Sequence, residues 1–95
     1  MDPNNIRING STCKSITIEF SHLTAEKVNI AGTFNNWRPE ATRMIAIGDG
    51  RWRKKLVLSP GAHEYFFVAD GEWIPDPAGE SVRNPFGGIN SVFRI

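Results

Sequence analysis

The chain has 95 residues, with 11 Lys and Arg against 10 Asp and Glu, and a formal net charge of +1. This length fits one domain with a single small core. The near-neutral charge argues against a polyanion such as nucleic acid as the main partner. The single cysteine, Cys13, excludes an internal disulfide framework and fits a reducing compartment, so we expect a cytoplasmic protein.

The N-terminal residues are polar and lack the apolar stretch of a signal peptide. No window approaches the ~20 apolar residues that a membrane span requires, so we expect no membrane partner. The sequence predicts an N-terminal tail over residues 1–12, whose order it leaves open, and one β-domain over residues 13–95.

Alternating or short apolar runs predict strands along most of the chain. The Asp70-Gly71 pair between two of these runs is typical of a tight hairpin turn. About seven short strands separated by turn signals, with no helical stripe, predict an immunoglobulin-like antiparallel β-sandwich. The predicted strands are residues 15–20, 27–32, 43–47, 51–58, 62–69, 72–74 and 90–95.

One segment departs from this pattern. Residues 75–89 (PDPAGESVRNPFGGI) are rich in Pro and Gly and show no clear strand periodicity. A loop of this length in so small a domain is typically functional or disordered. Within it, Phe86 stands between Pro85 and Gly87, where an apolar side chain is carried on a stiff backbone.

No motif for catalysis or for a cofactor occurs in the chain. His22 and His63 have no Cys or His partner at metal-ligand spacing. The phosphate-binding and dinucleotide-binding fingerprints are absent, and no acidic pair can be argued into acid–base geometry. We therefore expect a non-enzymatic module without a cofactor or a metal.

The three tryptophans differ in their strand context. Trp52 is in phase with the leucines of residues 51–58, so we predict that it lies in the core. Trp37 follows a polar turn and Trp73 precedes the Pro-rich segment, and each alone fits packing at least as well as binding. Taken together, the two favour a displayed pair. Indole faces stack on the apolar C–H face of a glucose ring, while nearby amides bond its hydroxyls, so the pattern predicts an uncharged sugar ligand.

Three segments resemble a known family. VNIAGTFNNW (28–37), LSPGAHEYFFVADGEW (58–73) and NPFGGINSVFRI (84–95) resemble the glycogen-binding module of the AMP-activated protein kinase β subunit, in the forty-eighth family of carbohydrate-binding modules. The resemblance implies an "early set" immunoglobulin-like sandwich that binds α-1,4-linked glucans, such as glycogen, starch, maltooligosaccharides or β-cyclodextrin. It also implies a covalently linked or associated enzyme or kinase subunit as a partner.

The resemblance assigns roles to five residues. Trp37 and Trp73 match the stacking tryptophans of the family, and Asn90 matches an asparagine that hydrogen-bonds sugar hydroxyls. Phe86 stands where the kinase module has a leucine that packs against the curved glucan. Glu72 occupies a loop position within reach of the ligand.

Phe66 departs from the family pattern, which has a lysine at this position. Strand alternation turns Phe66 away from the face that holds Tyr65 and Phe67. Two interpretations follow: Phe66 is a third exposed aromatic platform for the sugar, or it is packed under residues 75–89. Either way the site lacks a cationic hydrogen-bond donor that the family has.

The sequence thus predicts a non-catalytic module that binds α-glucan. In this interpretation the Asn35-Asn36 turn displays Trp37, while Phe34 anchors the same loop inward. The alternative is a protein–protein interaction module of the same fold with a lost or drifted sugar site. Residues 51–55 (RWRKK) would then form a docking strand.

Overall fold

The structure, a computed structural model, describes residues 13–95, and the tail predicted over residues 1–12 lies outside the described residues. Two single-turn 3₁₀ helices, Thr33–Asn35 and Pro39–Ala41, follow the second strand. Within the described range, no helix is long and apolar enough to cross a membrane. The strands are β1 (Lys14–Ser21), β2 (Val28–Gly32), β3 (Ile45–Gly48), β4 (Arg51–Leu58), β5 (Ala62–Ala69), β6 (Glu72–Ile74), β7 (Glu80–Arg83) and β8 (Ile89–Arg94).

These strands form two antiparallel sheets. β1, β4 and β3 make a three-stranded sheet in that order. β2, β5, β8 and β7 make the larger sheet, in which β6 pairs with the second half of β5. The predicted immunoglobulin-like sandwich is confirmed, and β5 is the central strand of its larger sheet.

The core lies between the two sheets and draws on both. The Phe20 and Phe67 rings stack across it with their centroids 4.2 Å apart. Trp52 is only 8% exposed, which confirms its predicted place in the core. The buried cluster comprises Phe20, Val28, Ile30, Met44, Trp52, Leu56, Leu58, Tyr65, Phe67 and Ala69.

The segment 75–89 is more regular than its sequence indicates, because it contains β7. This strand pairs with β8 from Glu80 opposite Val92 to Arg83 opposite Ile89. Its sequence, ESVR, has a single apolar residue, so periodicity could not reveal it. The strand is defined instead by its backbone pairing with β8. The Arg94–Glu80 ion pair, whose Nη2 and Oε2 atoms are 3.0 Å apart, also joins the two strands.

A partly buried polar contact joins the connection between β6 and β7 to the sheet. The hydroxyl of Tyr65 donates to Oδ2 of Asp76, and the Asp76 backbone N–H donates to Oγ of Ser91 at 2.7 Å. Burial, together with the hydrogen bond to the Asp76 carboxylate, raises the pKa of the Tyr65 phenol above its ordinary value. The chain is thereby fixed just after Trp73.

Candidate functional site

The outward face of β5 carries the predicted aromatic residues. Side chains alternate along a strand, so Glu64, Phe66 and Val68 lie on the face away from the core. The Phe66 ring lies between two indoles, with its centroid 6.4 Å from that of Trp37 and 5.9 Å from that of Trp73. The Phe66 ring is tilted by 57° and 60° to the two indoles. We call Trp37, Phe66 and Trp73 the aromatic arc.

The position of Phe66 bears on the two interpretations drawn from the sequence. Its side chain is half-buried, and its ring is next to both indoles on the surface of the larger sheet. This geometry favours the interpretation of Phe66 as a third aromatic platform.

The loop after β2 holds Trp37 in an unusual backbone conformation. Asn36 and Trp37 have φ values of 56° and 59°, in the left-handed region that bulky residues seldom adopt. Such a conformation persists only where the surroundings enforce it. The Trp37 N–H donates to the Gly32 carbonyl at 2.9 Å, which closes the loop. The fold therefore accepts backbone strain at Trp37, whose half-buried indole lies next to the Phe66 ring.

Asn35 organises this loop with three side-chain hydrogen bonds. Its Oδ1 accepts from the Gly32 N–H at 3.0 Å. Its Nδ2 donates to the Ile30 carbonyl and to Oγ1 of Thr42, each at 3.0 Å. The predicted role of Asn35 as a turn former is therefore confirmed.

Phe34 anchors the same loop on the inner side, as predicted. Its half-buried ring packs against the core cluster, 6.2 Å from the Phe93 ring. Gly32 makes room for it, since a Cβ at that position would lie 2.5 Å from Cε2 of Phe34 and 2.5 Å from the Glu64 carbonyl oxygen. One loop thus directs Phe34 inward and Trp37 outward.

The hairpin β5–β6 positions Trp73, which is 44% exposed. Asp70 and Gly71 have φ values of 50° and 88°, as a tight two-residue turn requires. Trp73 is opposite Val68, on the outward face, whereas Glu72 is opposite Ala69, whose side chain is in the core. Because residues directly opposite in an antiparallel pair point to the same side, the structure does not bring Glu72 into the aromatic arc.

Asn90 lies on β8 beside the arc, within a chain of hydrogen bonds. Its Nδ2 donates to Oε1 of Glu64 at 2.8 Å, and its Oδ1 accepts from Nδ2 of Asn84 at 3.0 Å. Oδ1 of Asn84 accepts from the backbone N–H groups of Phe86 at 2.9 Å and Gly88 at 3.0 Å. Asn90 is therefore held from both sides, and Asn84 connects it to the loop that carries Phe86.

Phe86 is at the tip of that loop and is 96% exposed. A side chain left in water contributes almost nothing to the hydrophobic stabilisation of the fold. The hydrogen bonds of Asn84 connect the backbone of Phe86 to Asn90, whereas the ring pairs of the aromatic arc join Phe66 to Trp37 and Trp73 and do not include Phe86.

Sequence reasoning missed two residues at this site, Glu64 and Asn84. Strand alternation puts Glu64 on the face of Phe66, and that signal could have identified it. An asparagine directly before Pro-Phe-Gly-Gly is a typical turn-forming signal, and it could have identified Asn84.

Cavities open on different parts of the region 13–95. One, of about 210 Å³, is lined by Lys27, Asn29, Pro39, Glu40, Val68 and Gly71. The larger, of about 380 Å³, lies beside β3 and β4 and is lined by Glu26, Arg43, Met44, Ile45, Ala46 and Trp52. Among residues 13–95, no group of three or more His, Cys, Asp or Glu side chains comes together to hold a metal ion.

The sequence is similar to a known family and to several known proteins. The chain matches the family model described as the glycogen recognition site of AMP-activated protein kinase over residues 14–95. It is similar to the 5'-AMP-activated protein kinase subunit beta-2 of Homo sapiens, with 33% identity over 70 residues, which cover 74% of this chain and 25% of that protein. It is also similar to subunit beta-1 of Sus scrofa, with 29% identity over 70 residues, or 74% of this chain and 55% of that protein. The matched region thus spans between 25% and 55% of these relatives.

Proposed function

Because the chain belongs to the family of glycogen recognition sites of AMP-activated protein kinase, we propose that it binds α-1,4-linked glucans without transforming them. The proposed ligands are glycogen, starch, maltooligosaccharides and cyclodextrin. The contact residues are the aromatic arc together with Asn90 and Phe86. We leave Glu72 outside this set, since its register directs it away from Trp73.

The observation that supports the proposal is the Phe66 ring between two indoles on the outward face of the larger sheet, where Trp73 is exposed and Trp37 and Phe66 are half-buried. Three rings inclined to one another present a curved rather than a flat surface. An α-1,4-linked chain curves and can follow such a surface, whereas a flat β-1,4-linked chain meets only part of it. Stacking the apolar face of one glucose unit on one ring contributes about 1–1.5 kcal/mol at ~25 cal/mol/Å².

The polar residues complete the site. Asn90 has one amide N–H and one oxygen lone pair beyond those used by Glu64 and Asn84, and these would bond sugar hydroxyls. Phe86 would pack against the curved chain from its exposed loop. Several weak contacts must offset the entropy of association, so we expect a Kd on the order of 10 µM to 1 mM.

In a longer protein such a module would act as a tether. The relatives are kinase subunits of which the matched region is only a part. A module of this kind would hold a linked enzyme or an associated kinase subunit on the polymer and raise its effective concentration there. We place this activity in the cytoplasm, where a reducing environment fits the single Cys13.

Calorimetric titration with maltoheptaose and with cellohexaose tests the proposal. We expect binding of maltoheptaose in the stated range and no measurable heat with cellohexaose. Equal affinity for the two oligosaccharides would refute the curvature argument, and no binding of either would refute the function.

The second candidate function is protein docking through the outward face of the three-stranded sheet. This face exposes Ile45 (63%) and Val57 (67%). Arg53 on the same face is already paired with Glu19, with Nη2 and Oε2 2.9 Å apart. Tryptophan emission separates the candidates, because glucan bound at the arc would shift the emission of Trp37 and Trp73 to the blue, whereas a docking module would not respond.

A further inference from the structure

Glu64 is a carboxylate on the outward face of the larger sheet, the face of the aromatic arc. It precedes Phe66 by two residues on β5, so both side chains lie on the same outward face. Its side chain is half-buried. Within residues 13–95 the ion pairs are Arg53–Glu19 and Arg94–Glu80, and none of the described cations forms one with Glu64.

The charge of Glu64 determines how Asn90 is oriented. An ionised carboxylate only accepts hydrogen bonds, so Asn90 must turn its Nδ2 towards Glu64. At the other end, two backbone N–H groups can only donate, so Asn84 must turn its Oδ1 towards them. The acceptor at one end of this series of hydrogen bonds and the donors at the other end require the same orientation of each amide. Asn84 therefore donates to Asn90, and Asn90 donates to Glu64.

Glu64 retains acceptor capacity beyond this bond. A carboxylate offers about four lone-pair sites on two oxygens, and the described structure uses one of them for Asn90. Hydrogen bonds to an ionised acceptor are roughly twice as strong as neutral ones. The side chain at position 66 is a phenyl ring rather than a cation, so it does not neutralise this charge.

We propose that Glu64 is a sugar-binding and specificity-determining residue, whose carboxylate accepts the 2- and 3-hydroxyls of the glucose unit beside Phe66. These are the only adjacent free hydroxyls on an internal glucose of an α-1,4-linked chain, and two carboxylate oxygens can accept both. The inference rests on the proposed glucan binding. It adds a hydrogen-bond acceptor, the Glu64 carboxylate, to a site in which Phe66 stands in place of the lysine of the family pattern.

The first test is calorimetric titration of Glu64→Gln with β-cyclodextrin, beside the wild type. The amide keeps the shape and can still accept from Asn90, but it loses the charge. We expect a Kd about five- to tenfold weaker, the difference between a charge-assisted and a neutral hydrogen bond. The matched control is Glu19→Gln, which removes the same charge from the opposite sheet and should bind like the wild type.

The outcomes separate this inference from the function on which it rests. If the wild type binds and folded Glu64→Gln binds equally well, glucan binding stands and the role of Glu64 is refuted. If the wild type does not bind, both are refuted.

A second measurement requires no variant. The seven glucose units of β-cyclodextrin are equivalent, so methylating every 2- and 3-hydroxyl removes the proposed donors whichever unit occupies the site. We expect this derivative to bind the wild type at least tenfold more weakly than the derivative methylated only at the 6-hydroxyls. Equal affinities would overturn the inference.

Discussion

Of two adjacent asparagines, Asn35 and Asn36, only Asn35 should lower the free energy of unfolding when it is substituted. Asn35→Ala removes three side-chain hydrogen bonds of the Trp37 loop, each 3.0 Å long, to Gly32, Ile30 and Thr42. Each is worth about 1 kcal/mol net, and the part-buried backbone groups lose their partners. We therefore expect the free energy of unfolding to fall by about 2–3 kcal/mol, or roughly 10–20 °C in Tm for a domain of this size.

Asn36→Gly is the matched control. Asn36 has φ 56° and an exposed side chain, and glycine adopts this conformation without steric cost. Its unfolding free energy should stay within about 0.5 kcal/mol of the wild type. Urea denaturation followed by circular dichroism measures both variants. A loss below about 1 kcal/mol in Asn35→Ala, or an equal loss in the two variants, would refute the assignment of Asn35 as the organiser of this loop.

Three further predictions follow from the described contacts. Tyr65 is the single tyrosine of the chain, and burial and Asp76 raise its pKa in the folded state. In the unfolded state the phenol ionises at pH ~10. The free energy of unfolding is therefore independent of Tyr65 ionisation below that pH and falls as the pH rises above it. Tyr65→Phe should lack this alkaline loss in urea denaturation at stepped pH, and phenolate absorbance that appeared in the folded wild type near pH 10 would contradict the account. Phe86→Ala should leave the unfolding free energy within about 0.5 kcal/mol of the wild type, because the ring is 96% exposed. The same variant should bind β-cyclodextrin more weakly in calorimetry, and an unchanged affinity would remove Phe86 from the site. Gly32→Ala should destabilise by about 1–3 kcal/mol, since its Cβ would lie 2.5 Å from the Glu64 carbonyl oxygen, and a neutral result in thermal unfolding would contradict this close approach.

Strand periodicity was sufficient to predict most of the fold. The strand of residues 51–58 shows why, because its alternation separates Trp52, which is buried, from Arg51 and Arg53, which are exposed. β7 could not be predicted in this way. Its four residues have no apolar alternation, and its pairing with β8 is a property of the folded chain.

The site was predictable only in part, for a related reason. Alternation predicts the face on which a side chain lies but not its neighbours, so the sequence left two interpretations for Phe66. The ring positions favour the interpretation as a third aromatic platform. The Asn90–Glu64 hydrogen bond joins residues 26 positions apart, and no local pattern indicates it. The left-handed conformation of Trp37 was also not foreseeable, because a bulky residue is not expected there.

The most direct test of glucan binding by the aromatic arc is isothermal titration of β-cyclodextrin into the wild type and Trp73→Ala. Circular dichroism would confirm that both proteins are folded. Ile45→Ala is the control, since it removes an exposed apolar side chain from the other sheet. We predict a Kd on the order of 10 µM to 1 mM for the wild type and for Ile45→Ala, and about five- to twelvefold weaker binding for Trp73→Ala, the equivalent of about 1–1.5 kcal/mol for one stacked ring. A folded wild type that gives no heat at millimolar ligand, or a folded Trp73→Ala that binds as the wild type does, would contradict the account.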